Sequence, residues 1–259
     1  MKNRTKLPNI YLGLILALMY VPIVLVIIYS FNESKISSVW DGFSLKWYVD
    51  LFKDESMFEA LLHSIVLGLS SSFAAAIIGT LGAVGSSKVE LRGKGVVEYI
   101  STLPIMIPEI ILGMAFLAVF TAVGLRFGML TLILAHVTFC TPYIFIVVKG
   151  RLVGMDPSLA EASRDLGASP ARTFFEITLP LIMPGVLSGV MLAFAMSLDD
   201  FVISFFVNGA TTTTLPIKIY SSVKTGVTPQ VNALCTLTLA VVAIAMALKT
   251  LVLDRKNNG

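Results

Sequence analysis

Charged residues are scarce in this sequence of 259 residues. Asp, Glu, Lys and Arg make up 14% of it, whereas 56% is hydrophobic; a typical soluble domain carries about 25% charged residues. This composition excludes an ordinary water-soluble globular domain. The net charge of +3 comes from dispersed residues rather than from one basic face. Because nucleic-acid binding needs such a face, we expect no nucleic-acid partner.

The sequence also lacks the motifs of metal sites, nucleotide sites and nucleophilic enzymes. Cys140 and Cys235 both fall in apolar stretches, where a free thiol behaves as a small hydrophobe. Neither of the only two histidines, His63 and His136, lies at metal-ligand spacing or near an acid and a nucleophile. No G-x-x-x-x-G-K-[ST] phosphate loop is present. We therefore expect no metal, no cofactor and no ATP hydrolysis in this chain.

Long apolar runs dominate the sequence instead. A membrane-spanning helix needs about 20 predominantly apolar residues, and six stretches meet this length. The first follows Lys2, Arg4 and Lys6 but is too long for a signal-peptide core and has no small-x-small cleavage site after it. An all-α polytopic membrane protein with about six transmembrane helices is predicted. The predicted spans are about 10–31, 62–84, 97–122, 129–148, 184–207 and 230–252.

The segments between these spans differ in their content of Lys and Arg. If the N-terminus is cytoplasmic, most of the 19 Lys and Arg residues fall on the inner side. The positive-inside rule therefore predicts that both termini are cytoplasmic. No connection is long enough for a soluble domain, so we interpret 1–259 as a single transmembrane domain with a cytoplasmic loop at 149–183.

Small residues recur every four positions in the second and fifth spans. Residues four apart share a helix face, and small side chains there let helices approach closely in a bilayer. We predict that these ridges are helix–helix contacts, within the subunit or with a partner permease. They consist of Gly68, Ser72, Ala76 and Thr80, and of Gly185, Gly189, Ala193 and Ser197.

The third span contains Pro104 and Pro108. Proline removes a backbone donor and disfavours helix at the residue before it. Because a broken helix at membrane depth is tolerated only against protein or a water-lined cavity, Pro104–Glu109 is a candidate wall of the translocation path.

Three acidic residues, Glu109, Asp199 and Asp200, are candidates for the substrate path, because intramembrane acids are costly and mostly functional. A regular helix would place Asp200 beside the small-residue ridge and Asp199 almost opposite, so we expect Asp200 to be the better buried. The third and fifth spans contain no Lys or Arg, which favours a cationic substrate. The alternative is that the acids are protonated or bonded to other helices. Aromatic candidates for cation–π contacts are Tyr143, Phe201, Phe205 and Tyr220.

Helix-capping signals define the first half of the cytoplasmic loop. Asp156 suits an N-cap, Pro157 suits the first helical position, and Gly167 suits a C-terminal cap with positive φ. A short helix over about 157–166 is predicted. Its apolar stripe, which would need a partner groove, consists of Leu159, Ala162 and Leu166.

Ser169 and Pro170 repeat the start signal, so a second helix is predicted to run toward Thr178. We expect Pro180 and Pro184 to interrupt the chain before the fifth span, which completes a helix–turn–helix.

This loop resembles the EAA motif of ABC-importer permeases. That motif is Glu-Ala-Ala, three residues, Gly, nine residues and Ile-x-Leu-Pro. The one departure here is Ser163 in place of the second Ala. The resemblance implies a type I ABC importer permease fold and a coupling helix seated in a cleft of a separate ATP-binding subunit, which binds ATP and Mg. The matching residues are Glu161, Ala162, Ser163, Gly167, Ile177, Leu179 and Pro180.

Nearly the whole chain is similar to the PotC-type permease subunits of spermidine/putrescine importers. The stretches that carry this similarity are 136–145, 197–209 and 215–234. The resemblance implies a bacterial inner-membrane complex with a second homologous permease, an ATP-binding subunit dimer and an extracytoplasmic polyamine-binding protein. It leaves the choice between spermidine and putrescine open.

Two alternatives predict different features. A secondary transporter would be driven by an ion gradient and would have no use for the cytoplasmic helix pair. An ABC permease for another small solute, such as an anion, predicts basic residues in the spans.

Overall fold

The computed structural model describes residues 6–35, 39–88, 94–156, 158–224, 226 and 229–257. Within these ranges every regular element is helical, which confirms the all-α prediction; one isolated β-bridge joins Asn32 and Phe43. The elements are α1 (Lys6–Tyr29), α2 (Lys46–Lys53), α3 (Glu55–Lys88), α4 (Lys94–Met106), α5 (Glu109–Ala122), α6 (Met129–Val153), α7 (Ser158–Asp165), α8 (Pro170–Thr173), a π-helical segment (Phe174–Thr178), α9 (Leu179–Asp199), α10 (Val202–Val207), α11 (Leu215–Lys224) and α12 (Pro229–Asn257).

Among the described residues, four helical stretches are long and apolar enough to cross a membrane, and a bent pair makes a fifth candidate. The sixth predicted run, 230–252, lies in α12, whose stretch Pro229–Val241 is a shorter apolar helix. The four long stretches are Pro8–Tyr29, Glu55–Ser87, Met129–Val153 and Pro170–Asp199.

The third predicted span is broken, as its prolines indicated. Glu98–Met106 and Glu109–Ala122 meet at an angle of 109°. The break coincides with Pro108, whose φ of −54° and ψ of 133° are those of extended backbone before α5. Pro104 lies inside α4 without ending it. One of the two prolines therefore makes the break.

The prediction that Pro180 and Pro184 interrupt the chain is wrong. The helix is continuous from Pro170 to Asp199. Because the Pro180 ring has no N–H and crowds the carbonyl four residues earlier, the preceding turn widens into the π-helix, and the Leu179 N–H donates to the Phe174 carbonyl. The real interruption comes later, at Asp200, whose ψ of 118° leaves the helical region.

The described chain forms two compact units. One contains the residues up to Phe58 and from Ile219 onwards, and the other spans Glu59–Lys218. In the first unit, α12 packs against α1 and α2. In the second unit, α6 is central, because α4, α9 and α10 all contact it. The candidate site described below lies in the second unit, apart from Tyr220.

Both small-residue ridges are buried helix–helix contacts within the subunit, which confirms that prediction. On α9, a Cβ added at Gly189 would lie 3.3 Å from the Cα of Ile144 on α6. On α3, a Cβ at Gly68 would lie 2.9 Å from the ring of Phe194 on α9. Gly therefore permits backbone separations that a larger side chain would prevent.

Candidate functional site

The first helix of the loop, α7, is capped at both ends by its own residues. The Asp156 carboxylate accepts a hydrogen bond from the Ser158 N–H at 3.0 Å, and this bond lowers the pKa of Asp156. At the other end Gly167 has a φ of +84°, as predicted. The Gly167 N–H donates to the Arg164 carbonyl and the Ala168 N–H to the Ser163 carbonyl, which together form a Schellman cap. Pro157 lies outside the described residues.

The second helix of the loop begins as predicted and is tied to the first. The Ser169 hydroxyl accepts the Arg172 N–H at 3.2 Å. Ser163, the departure from the family motif, places its hydroxyl 3.1 Å from that of the buried Thr173. Ser163 therefore adds a hydrogen bond between α7 and α8 that the alanine of the motif could not form.

The predicted apolar stripe of α7 points away from this packing. Leu159 is 46% exposed and Leu166 is 89% exposed, and Ala162 between them is exposed as well. Glu161 is also exposed. The loop thus presents an apolar strip beside an acidic group on its outer side.

The remaining motif residues join this loop to the fifth span. Ile177 lies in the π-helical segment, and Leu179 and Pro180 begin α9. Ile177 and Leu179 are half-buried, whereas Pro180 is exposed. A cavity of about 420 Å³ separates the end of α3 from the loop, and its lining includes Leu81, Val84, Gly85, Arg164 and Phe174.

Asp200 sits in the interruption between α9 and α10 with its side chain only 5% exposed. Its carboxylate accepts hydrogen bonds from the N–H groups of Ile203, at 3.2 Å, and Ser204, at 2.8 Å, and from the Ser204 hydroxyl at 2.7 Å. Asp199 is exposed. Asp200 is therefore the better buried, as expected, but the reason is a capped break rather than a regular helix.

His136 completes this arrangement, although no role for it was predicted from the sequence. Its fully buried ring on α6 places Nε2 3.0 Å from the Ser204 hydroxyl and 3.4 Å from the Asp200 carboxylate. Nδ1 lies 2.7 Å from the Ser197 hydroxyl, which is 3.3 Å from that of Ser71 on α3. The available signal was an ionisable residue inside an apolar run.

Glu109 occupies the first turn of α5, directly after the break, and is exposed. Tyr143, the aromatic candidate on α6, is half-buried. Close packing joins α5 to α10, because a Cβ at Gly113 would lie 2.6 Å from the Phe206 ring.

The aromatic candidates are divided between the two units. The rings of Phe201 and Phe205 lie 5.5 Å apart beside Asp200 in the chain, and Phe205 is 52% exposed. Tyr220 lies on α11, within the first unit, and is 48% exposed. The three acids, Tyr143 and the two phenylalanines all lie in the second unit.

A second polar pair, which was not predicted from the sequence, joins α4 to α6. The Lys149 ammonium lies 2.7 Å from the Glu98 carboxylate and 5.9 Å from the centre of the Phe145 ring. A signal was present, because these opposite charges stand at the same predicted membrane face of the third and fourth spans. Among the described residues, no group of His, Cys, Asp and Glu could hold a metal ion.

Comparison with known proteins identifies the family. Residues 75–257 match the family described as "Binding-protein-dependent transport system inner membrane component". The chain belongs to this family. It is thus an inner-membrane permease component, and this class of subunit is not an enzyme.

Relatives of known function agree with that assignment. The chain is 45% identical over 233 residues to the putrescine transport system permease protein PotI of Escherichia coli K12, with 87% of this chain and 83% of the relative covered. It is 40% identical over 256 residues to the spermidine/putrescine transport system permease protein PotC of Haemophilus influenzae, with 99% of both covered. These matches confirm the predicted resemblance.

Solved structures support the predicted type I ABC importer permease fold. A bacterial ABC transporter that imports the acidic polysaccharide alginate matches with a TM-score of 0.73 at 14% identity, over 96% of this chain and 94% of that one. The alginate transporter in complex with its pentasaccharide-bound periplasmic protein matches with a TM-score of 0.71 at 20% identity, over 93% and 91%.

Proposed function

We propose that this chain is the permease subunit of an ATP-driven importer for polyamines such as putrescine and spermidine. The observation that carries the proposal is the similarity, over most of the chain, to permeases named for these two substrates. The charge distribution supports it, because the third and fifth spans carry no Lys or Arg that could neutralise Glu109, Asp199 or Asp200 from within the same spans.

Two exposed carboxylates, Glu109 and Asp199, are the groups that we assign to direct contact with the ammonium groups of the substrate. Both lie in apolar segments, where an unneutralised carboxylate attracts a cation more strongly than it does in water. Phe205 is an exposed aromatic ring suited to cation–π contacts, with Tyr143 and Phe201 as partly buried supports, and Tyr220 stays a separate aromatic candidate in the first unit. Asp200 belongs to the same path but accepts hydrogen bonds within the subunit.

The loop at 149–183 is the proposed connection to the motor. The exposed strip Leu159, Ala162 and Leu166 would fill a groove on an ATP-binding subunit, as amphipathic helices do elsewhere. In this proposal a dimer of that subunit binds ATP and Mg, a second homologous permease shares the path, and an extracytoplasmic binding protein delivers the polyamine. Both termini and the loop are then cytoplasmic, and 1–259 forms one transmembrane domain with six spans.

The test is uptake by the reconstituted four-component system in liposomes. We expect ATP-dependent uptake of labelled putrescine or spermidine, and ATP hydrolysis that rises when the binding protein carries polyamine. Uptake that follows an ion gradient and persists without ATP would contradict the proposal. So would uptake of an anion in place of the polyamine.

The residue assignment is tested by Asp199→Asn and Glu109→Gln. Each should lower uptake about tenfold, since one lost charge contact is worth roughly 1.4 kcal/mol, and copurification of the subunits should be unchanged. Asp41→Asn is the matched control, because it removes an exposed carboxylate outside the predicted spans and outside the long helical stretches. Normal uptake in both path variants would remove Glu109 and Asp199 from the substrate path.

A further inference from the structure

The imidazole of His136 is fully buried and has a polar partner at each nitrogen. We infer that His136 is a positioning residue, which fixes the interruption between α9 and α10 so that, of these two adjacent acids, Asp200 stays buried and Asp199 faces the substrate path. The consequence for the substrate path rests on the proposed function, whereas the hydrogen-bond geometry of His136 does not depend on the substrate.

The hydrogen-bond partners of His136 determine which of its ring nitrogens carries a hydrogen. The Ser204 hydroxyl gives its hydrogen to the Asp200 carboxylate, at 2.7 Å. Nε2 therefore faces only acceptors, the Ser204 oxygen at 3.0 Å and the carboxylate at 3.4 Å. Nε2 must carry a hydrogen to be satisfied there. Nδ1 meets the Ser197 hydroxyl, which can donate or accept, so both ring nitrogens are bonded.

The hydrogen bonds of the His136 ring connect α6 to α9 and α10 at the turn between those two helices. Ser197 lies in the last turn of α9, Asp200 lies in the interruption, and Ser204 lies in the first turn of α10. The His136 ring on α6 binds residues on both sides of the interruption, at sequence separations of 61 and 68 residues. The turn is therefore held by a side chain from another helix as well as by its own cap.

This turn directs the side chains of Asp199 and Asp200, which are neighbours in the sequence, into different surroundings. In a regular helix they would differ by about 100° around the axis. The extended backbone at Asp200 instead sends one carboxylate into the His136 network and leaves the other exposed. Without the imidazole, the buried carboxylate keeps only the donors of its own turn. The contacts from the His136 ring on α6 to Ser197, Ser204 and Asp200 are then lost, so the direction of Asp199 is held less firmly.

Cysteine labelling tests this without any substrate. Single cysteines are placed at positions 198, 199 and 201 in a Cys140→Ala, Cys235→Ala chain, within the assembled complex, and treated with a cationic methanethiosulfonate reagent. We expect position 199 to react fastest, because Leu198 and Phe201 are partly buried and Asp199 is exposed. His136→Phe should abolish this contrast. His136→Gln should preserve it, because the amide offers both a donor and an acceptor.

Uptake supplies the second measurement. His136→Phe should lower polyamine uptake about tenfold, comparable to Asp199→Asn, and adding it to Asp199→Asn should lower uptake little further, since residues that act as a unit are non-additive. His63→Gln is the matched control, because it removes the other imidazole, which contacts the Thr213 carbonyl instead. Full uptake and an unchanged labelling contrast in His136→Phe would overturn the inference.

Two complications have distinct outcomes. If His136→Phe does not assemble, Ser204→Ala removes the hydroxyl between the imidazole and the carboxylate, and an unchanged contrast there would equally overturn the inference. If the parent complex takes up no polyamine but shows the His136-dependent contrast, the proposed substrate fails and the positioning role stands.

Discussion

The two ends of the long helix from Pro170 to Asp199 are built in opposite ways. At the start, the adjoining α7 leaves apolar side chains in the open, with Leu166 at 89% exposure. At the other end, the side chains of Asp200 and His136 are buried, and both are hydrogen-bonded to the Ser204 hydroxyl. One end therefore leaves apolar surface for the proposed partner, whereas the polar groups of the other end are bonded within the subunit.

This difference follows from what each end has to do. An apolar strip costs little in the free chain relative to a buried charge and gains free energy when a partner covers it. A buried carboxylate has to be hydrogen-bonded at all times, because an unpaired charge inside a membrane is expensive. The continuous helix between the two ends provides a rigid connection from the proposed motor contact to the proposed substrate path.

The largest effect is expected from Gly189→Leu, which disrupts the packing of α9 on α6 between the two ends of the long helix. A Cβ at this position already lies 3.3 Å from Ile144 Cα and 3.4 Å from its Cγ1. The remaining atoms of leucine have no space, so we expect a destabilisation of about 3 kcal/mol or more. Thermal unfolding in detergent and copurification of the complex measure it.

Gly189→Ala is the graded control for this position. Its single methyl group meets contacts of 3.3–3.5 Å that small shifts of Ile144 relieve, and alanine favours helix over glycine. Wild-type assembly in Gly189→Leu would show that the ridge is not a tight contact, and the comparison between two rigidly joined ends would then fail.

A smaller and more local effect is expected from Gly167→Val at the loop. Nothing lies within 4 Å of a Cβ at this position, so the cost comes from the φ of +84° alone, and a β-branched residue in that region costs about 1–3 kcal/mol. The cap of α7 should loosen while the Asp200 end is unaffected. The measurement is the ratio of polyamine taken up to ATP hydrolysed, which should fall.

Gly167→Asn separates conformation from composition, because asparagine tolerates positive φ. It should retain most of the coupling that valine loses. If both variants couple ATP hydrolysis to uptake normally, the cap does not position α7 for its partner. The two ends of the helix then differ less in their dependence on a partner than their exposure indicates.

The same contrast explains what could be predicted from the sequence. The caps at Asp156, Gly167 and Ser169 involve partners within five residues, so capping rules located them. The break at Pro108 and the buried ridges were found for the same reason, since each is a local pattern. The continuity through Pro180 was missed, because a proline can widen a helix into a π turn as well as end it.

The partners at the other end are far apart in the sequence. His136 and Ser204 are separated by 68 residues, and Glu98 reaches Lys149 only through the packing of α4 on α6. A single sequence contains no local rule that pairs such residues. It could identify the acids as costly groups, but it could not show which of them the fold satisfies internally.

The smallest effect is expected at Ser163, where the chain departs from the family motif. Ser163→Ala removes the hydrogen bond to the buried Thr173 and leaves that hydroxyl unpaired, which costs about 1 kcal/mol. Ser163→Ala with Thr173→Val removes both polar groups at nearly constant shape, so the double variant should unfold at a higher temperature than the single one. A double variant less stable than Ser163→Ala would mean that Thr173 has another role. Uptake should stay near wild type in both, because the hydrogen bond lies on the side of α7 that faces α8, away from the exposed strip proposed to meet the motor.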